Sequence, residues 1–190
     1  CVRCHKGGRD EDETKVGLDK FIWLREVPFW QKNDMHRYAY ECLSAPLGKQ
    51  MGGILGYDVT KAEQCLVCHS VDVNFCGIEL KSPRKKVEDR FYTGYGMSCE
   101  ACHGIANKVS DKGKKEGWLA PHQDYDWRNT SPKEKRETNL LDMRHPQVRA
   151  EKCASCHVGN SAEGKVVTHD IFAAGHPPLQ PLEIVTFASE

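Results

Sequence analysis

Apolar side chains are what this sequence has least of. Only 39% of its 190 residues are hydrophobic, 8% are aromatic, and the mean hydropathy is −0.62. A chain of this length makes one domain or a compact pair, yet its own apolar residues are too few to organise a conventional core. Net charge is missing as well, since 27 Lys+Arg balance 27 Asp+Glu. That absence removes the global basic field that would argue for nucleic acid or an anionic membrane surface. No apolar stretch approaches the ~18 residues needed to cross a bilayer, so no spanning helix is expected. Charge is concentrated locally instead: residues 10–13 are acidic, and residues 81–86 and 112–115 are basic. These runs read first as solvated loop faces and second as docking patches.

Cysteine, by contrast, is abundant, and eight of the ten cysteines fall into one pattern. The pentapeptide Cys-x-x-Cys-His occurs as Cys1-Val2-Arg3-Cys4-His5, Cys65-Leu66-Val67-Cys68-His69, Cys99-Glu100-Ala101-Cys102-His103 and Cys153-Ala154-Ser155-Cys156-His157. At this Cys and His content chance gives roughly 0.02 copies. Two thiols three positions apart lie about one helical turn from each other and reach the two vinyl groups of one porphyrin. The histidine that follows supplies the proximal imidazole. Zinc held by paired Cys-x-x-Cys is the competing chemistry, but zinc has no need of a histidine after every second cysteine. A thioredoxin-like dithiol occurs once, beside a βαβ pattern, and does not fit four copies.

Four covalently bound c-type haems also repair the apolar deficit. The expected fold is mainly α: short helices and long loops wrapped around the haems, little or no sheet, and residues 1–190 as a single tetrahaem domain or a fragment of a longer exported chain. Haem of this kind is attached after export, which implies a targeting signal upstream of Cys1 and a periplasmic or extracellular location. In an oxidising compartment the two leftover thiols, Cys42 and Cys76, are expected to pair, with two separate buried thiols as the alternative.

Several elements are legible from local signals. Asn33 or Asp34 caps a helix carrying His36, Ala39, Tyr40 and Leu43 at one face. Residues 48–56 look like a glycine-rich loop. Thr60-Lys61-Ala62-Glu63 has the form of a capping box that opens the helix of the second pentapeptide, and residues 83–90 form a charged surface excursion. Residues 118–122 make a short amphipathic piece, and Ser131-Pro132-Lys133-Glu134 opens another capped helix. Pro146 starts the helix that enters the fourth pentapeptide, with Val148 and Ala150 as its apolar contributions. Gly175, Pro177 and Pro178 end the segment after His169 in a turn.

Five histidines stand outside the pentapeptides: His36, His122, His145, His169 and His176. Distal ligands are expected at His36, His122, His176 and His169, while His145, between Arg144 and Pro146 at a helix start, reads as exposed. Met35, Met51, Met97 and Met143 are the rival axial ligands. Two nitrogen ligands per iron favour electron transfer, whereas an open position favours ligand chemistry.

The run of motifs resembles the multihaem cytochromes of the cytochrome c-554 family, and more narrowly the exported tetrahaem cytochromes of planctomycete type. The matching stretches are Asp34-Met35-His36-Arg37-Tyr38-Ala39-Tyr40, the pentapeptide at residues 65–69, Ser98-Cys99-Glu100-Ala101-Cys102-His103-Gly104, Trp118-Leu119-Ala120-Pro121-His122, residues 153–160 and residues 167–178. This resemblance implies a mostly helical, haem-packed fold and electron transfer. It also implies that His36, His122, His169 and His176 match family ligand positions, and that His145 does not.

The function expected from these readings is electron transfer between exported redox proteins, with no catalytic residues. The alternatives are a multihaem oxidoreductase with one open haem acting on a small nitrogen or sulfur compound, and a homo-oligomer or filament in which haem chains continue from subunit to subunit. Against the enzyme, no Cys-x-x-Cys-Lys motif and no acid/base constellation is present.

Overall fold

A computed structural model of the chain describes residue 5 and residues 26–72, 90–104, 106, 108–109, 115–179 and 181–182. Cys1, Cys4, Cys76 and the excursion at residues 83–89 lie outside the described residues. The architecture is mainly helical. Its helices are α1 (Glu26–Asn33), α2 (Pro46–Leu55), α3 (Glu63–His69), α4 (Cys99–His103), α5 (Leu119–His122), α6 (Pro132–Glu137), α7 (Pro146–His157) and α8 (His169–Ala173), joined by 3-10 turns and loops. Among the described residues, strand structure is confined to two antiparallel two-stranded ladders, β1 (Val71–Asp72) with β2 (Phe91–Tyr92) and β3 (Lys108–Val109) with β4 (Lys115–Glu116). No described helix is long and apolar enough to cross a membrane. The chain divides into two compact units, residues 1–37 and 38–190.

Within the first unit α1 carries Val27 as its buried residue. The Val27 N–H donates to the His5 carbonyl at 3.1 Å. The second unit has no single large core among the described residues. Its largest cluster gathers Leu43, Met51, Val59, Leu66, Val67, Phe91, Ile171 and Ala174. A smaller one joins Ala106, Trp118, Trp127 and Leu140, and a third joins Val71 to Ala101. This agrees with the low hydropathy of the sequence: the polypeptide alone makes patches of core.

Three local expectations are corrected. Residues 48–56 are not a loop, because α2 runs through them from Pro46 at its first turn to Gly56, whose φ of 75° closes it. Gly48 serves close packing there, since a Cβ at this position would lie 2.2 Å from the Leu43 carbonyl oxygen. The helix expected from Asn33 or Asp34 to Leu43 is instead two 3-10 turns, Met35–Tyr38 and Glu41–Ser44. Thr60 does not cap α3, whose N-cap is Ala62; the Thr60 hydroxyl and N–H are both turned onto Asp58 Oδ1, at 2.6 and 3.0 Å.

Other signals hold. Ser131 and Glu134 form the reciprocal capping box of α6. Pro146 occupies the first turn of α7, which buries Val148. Arg90 ties the β ladder to α3 by donating to Asp72 Oδ2 from Nε at 2.9 Å and by pairing with Glu63. The cluster around Trp127 is completed by a buried charge. Lys135, 1% exposed, lies 3.3 Å from Asp142 Oδ2 and 5.6 Å from the centre of the Trp127 ring.

Arg144, donating to both Asp142 oxygens at 3.0 Å, is the main cause that holds the Asp142 carboxyl well below the usual carboxylate range. A depressed acid stabilises the folded state fully above its ordinary value, 3.8, and loses that contribution as pH falls further. Asp142→Asn is therefore expected to cost about 3 kcal/mol at neutral pH by breaking a buried ion pair. It should also flatten the loss of stability below about pH 4, as read by urea unfolding across the acid range.

Candidate functional site

Three of the four pentapeptides fall on described helices, in each case at the helix end. Residues 65–69 close α3, residues 99–103 make the whole of α4, and residues 153–157 close α7. A helix places positions i, i+3 and i+4 on one face, so the two cysteines and the histidine share a face while the intervening pair points away. The structure shows where those intervening residues go. Val67, Ala101 and Ser155, the residue before the second cysteine in each helix, line one cavity of about 410 Å³. The three helices that carry the pentapeptides thus border one cavity.

His69 is the most completely built of the histidines. Its Nδ1 lies 2.6 Å from the Ala39 carbonyl oxygen, and a carbonyl can only accept, so Nδ1 carries the hydrogen and Nε2 the lone pair. Burial, and secondarily the neighbouring His176, lowers the His69 pKa. The ring is thereby kept neutral, the form that ligates a metal. Near it, the His176 ring centre is 6.4 Å away with the planes at 77°. His176 Nδ1 is held by the Pro177 carbonyl at 2.7 Å, which again leaves Nε2 with the lone pair.

Both rings present the same donor chemistry, an imidazole whose Nδ1 is engaged by a backbone carbonyl and whose Nε2 is left to ligate. Phe172, 47% exposed, has its ring 6.5 Å from that of His176 and adds apolar surface of the kind a porphyrin face covers. The donor chemistry of His69 and His176 therefore suits haem iron.

At the other expected ligands the structure is more local. His5 Nδ1 is 2.8 Å from Glu26 Oε2. His36 is exposed, with Nδ1 and its backbone N–H on Asp34 Oδ1 at 2.8 and 2.9 Å. Such carboxylate partners fix a ring's tautomer and orientation. His122 stands edge-on to the rings of Trp118 and Trp127, at 5.3 and 6.1 Å. His169 is exposed at the start of α8, and His103 is exposed at the end of α4. Among the rival methionines, Met51 belongs to the core cluster and Met35 is exposed. His145 differs from expectation: it is the N-cap of α7 and its Nδ1 is buried with no hydrogen-bond partner among the described residues, as are Nε and Nη2 of Arg149 one turn later.

Sequence reading missed the contact between α3 and α7. The Cys68 and Cys156 side chains share a hydrogen bond, which pushes the Cys68 thiol up and pulls the Cys156 thiol down. Beside them the buried ammonium of Lys165 donates to Ser155 Oγ at 3.2 Å and pairs with Glu163. Ser155 Oγ is in turn 3.8 Å from Cys156 Sγ. No sequence signal marks Lys165. Cys42, expected to pair with Cys76, carries a free thiol.

Cysteine pairs and a histidine on one helix face, repeated on helices that border one cavity, define a c-type cytochrome. Comparison with known families agrees: the profile of the family described as cytochrome c554 and c-prime matches residues 1–104, more than half of the 190 residues. The chain belongs to this family. Its members bind haem c covalently and transfer electrons. No curated protein and no solved structure matches the chain.

Thioether attachment makes a direct prediction. Haem colour should survive acid–acetone extraction of the purified protein, and changing Cys65 and Cys68 together to Ser should release one haem while the others stay bound. Complete extraction from the unaltered protein would contradict covalent attachment.

Proposed function

We propose that the chain is a tetrahaem electron carrier of the exported planctomycete type, with residues 1–190 working as one cytochrome. Its haems are bound at Cys1 and Cys4, Cys65 and Cys68, Cys99 and Cys102, and Cys153 and Cys156. Their proximal ligands are His5, His69, His103 and His157, and their distal ligands are His36, His122, His169 and His176. The observation that carries this reading is the neighbouring pair His69 and His176, 6.4 Å between ring centres with each Nδ1 held by a backbone carbonyl.

An iron saturated by two imidazoles supplies one-electron chemistry with little change of geometry. The polypeptide supplies the rest. Ala39 and Pro177 fix the tautomers, and burial keeps His69 neutral. The helices that carry the second and fourth pentapeptides, α3 and α7, line one cavity through Val67 and Ser155. Short separation between neighbouring sites is what a chain of electron carriers needs, and Lys165 sets a buried positive charge beside that cavity. The partners are other exported redox proteins, met through local charge rather than net charge.

Two measurements test this reading. The intact mass after co-expression with haem maturation machinery should exceed that of the bare polypeptide by four haems, and a mass short of four removes the tetrahaem reading. His176→Ala should leave that excess over the bare polypeptide unchanged but convert one haem from low to high spin in low-temperature EPR. An unaltered spectrum would take His176 off the list of ligands. A high-spin haem already present in the unaltered protein would favour an oxidoreductase with an open iron.

A further inference from the structure

One carbonyl oxygen, that of Ala39, serves two donors. His69 Nδ1 lies 2.6 Å from it and Cys42 Sγ lies 2.9 Å from it, with sulfur and Nδ1 themselves 3.3 Å apart. The backbone produces this meeting. Residues Glu41–Ser44 turn as a 3-10 helix, with the Leu43 N–H on the Tyr40 carbonyl at 3.1 Å and the Ala45 N–H on the Cys42 carbonyl at 3.2 Å. A side chain at position 42 is thereby folded back over the carbonyl three residues earlier. Cys42 belongs to no Cys-x-x-Cys-His pentapeptide, and its thiol is free.

We propose that Cys42 is a positioning residue that sets the reduction potential of the haem ligated by His69, by sharing the Ala39 carbonyl with the imidazole N–H. The proposal rests on His69 being an axial ligand, as read above. A stronger Nδ1–H···O=C bond gives the ring more imidazolate character, makes it a better donor to ferric iron, and lowers the potential. The carbonyl has two lone pairs and accepts both donors, but the S–H draws on the same electron density and weakens the pull on the imidazole. Removing the thiol gives the carbonyl wholly to His69.

The experiment is a spectrally resolved redox titration of the haem-loaded full chain and of its Cys42→Ala, Cys42→Ser and His69→Met variants. Cys42→Ala should lower the midpoint of one haem through a three- to tenfold change in its reduction equilibrium, about 30–60 mV at 59 mV per decade for one electron. The other midpoints should stay in place, and one low-spin EPR signal should shift. Cys42→Ser keeps a donor to the carbonyl and should restore the original midpoint, which a loss of packing alone would not do.

His69→Met separates the two levels of the reading. If it changes no haem spectrum, the ligand assignment fails and the Cys42 role falls with it. If it changes one spectrum while Cys42→Ala leaves every midpoint in place, the ligand assignment stands and the Cys42 role is overturned. Recovery of Cys42 in a disulfide with Cys76 from the haem-loaded protein overturns it as well.

Discussion

The hydrogen bond from His69 Nδ1 to the Ala39 carbonyl, 2.6 Å long, is the constraint around which the described structure makes chemical sense. It decides which nitrogen carries the lone pair and which way the ring faces. The surroundings serve it on every side. The 3-10 turns before α2 bring Ala39 to the place where it accepts, and Leu66 and Val67 anchor α3 in the largest core cluster. Ile171 and Ala174 anchor α8 in the same cluster, so that the turn after α8 brings His176 near His69. Both imidazoles are thus placed by backbone carbonyls and by the same small core.

That core is small because the polypeptide is a frame. Attachment helices of five to twelve residues would be marginal alone, and the three clusters bury few large side chains. Val67, Ala101 and Ser155 of the three helices line a shared cavity, and polar devices that are costly to misplace hold the surrounding segments. Lys135 with Asp142 and Trp127, Lys165 with Ser155 and Glu163, and Arg90 with Asp72 and Glu63 each satisfy a buried or half-buried charge. Such pairs contribute modestly to stability but strongly penalise alternative arrangements.

How much of this was legible in the sequence follows from the range of each signal. The candidate attachment residues stand out in the sequence because their pattern is contained in five consecutive positions. The starts of α6 and α7 were legible because a capping box and a proline at the first turn act within one helical turn. The glycines at residues 48–56 misled, since glycine marks close approach as well as turns, and Gly48 packs against the Leu43 backbone while only Gly56 adopts the left-handed conformation. Thr60 misled because Asp58 competes for its hydroxyl. The nearness of His69 and His176, the meeting of Cys68 with Cys156, and the burial of His145 Nδ1 join positions far apart in the chain or depend on packing, and no local pattern encodes them.

The most direct test of the account is anomalous diffraction at the iron edge from crystals of the haem-loaded chain, which locates each iron against the protein side chains. One iron bonded to Nε2 of His69 on one face and Nε2 of His176 on the other, with Ala39 still accepting from His69 Nδ1, is the predicted result. An iron at His69 whose opposite face is open or taken by a different residue would contradict it.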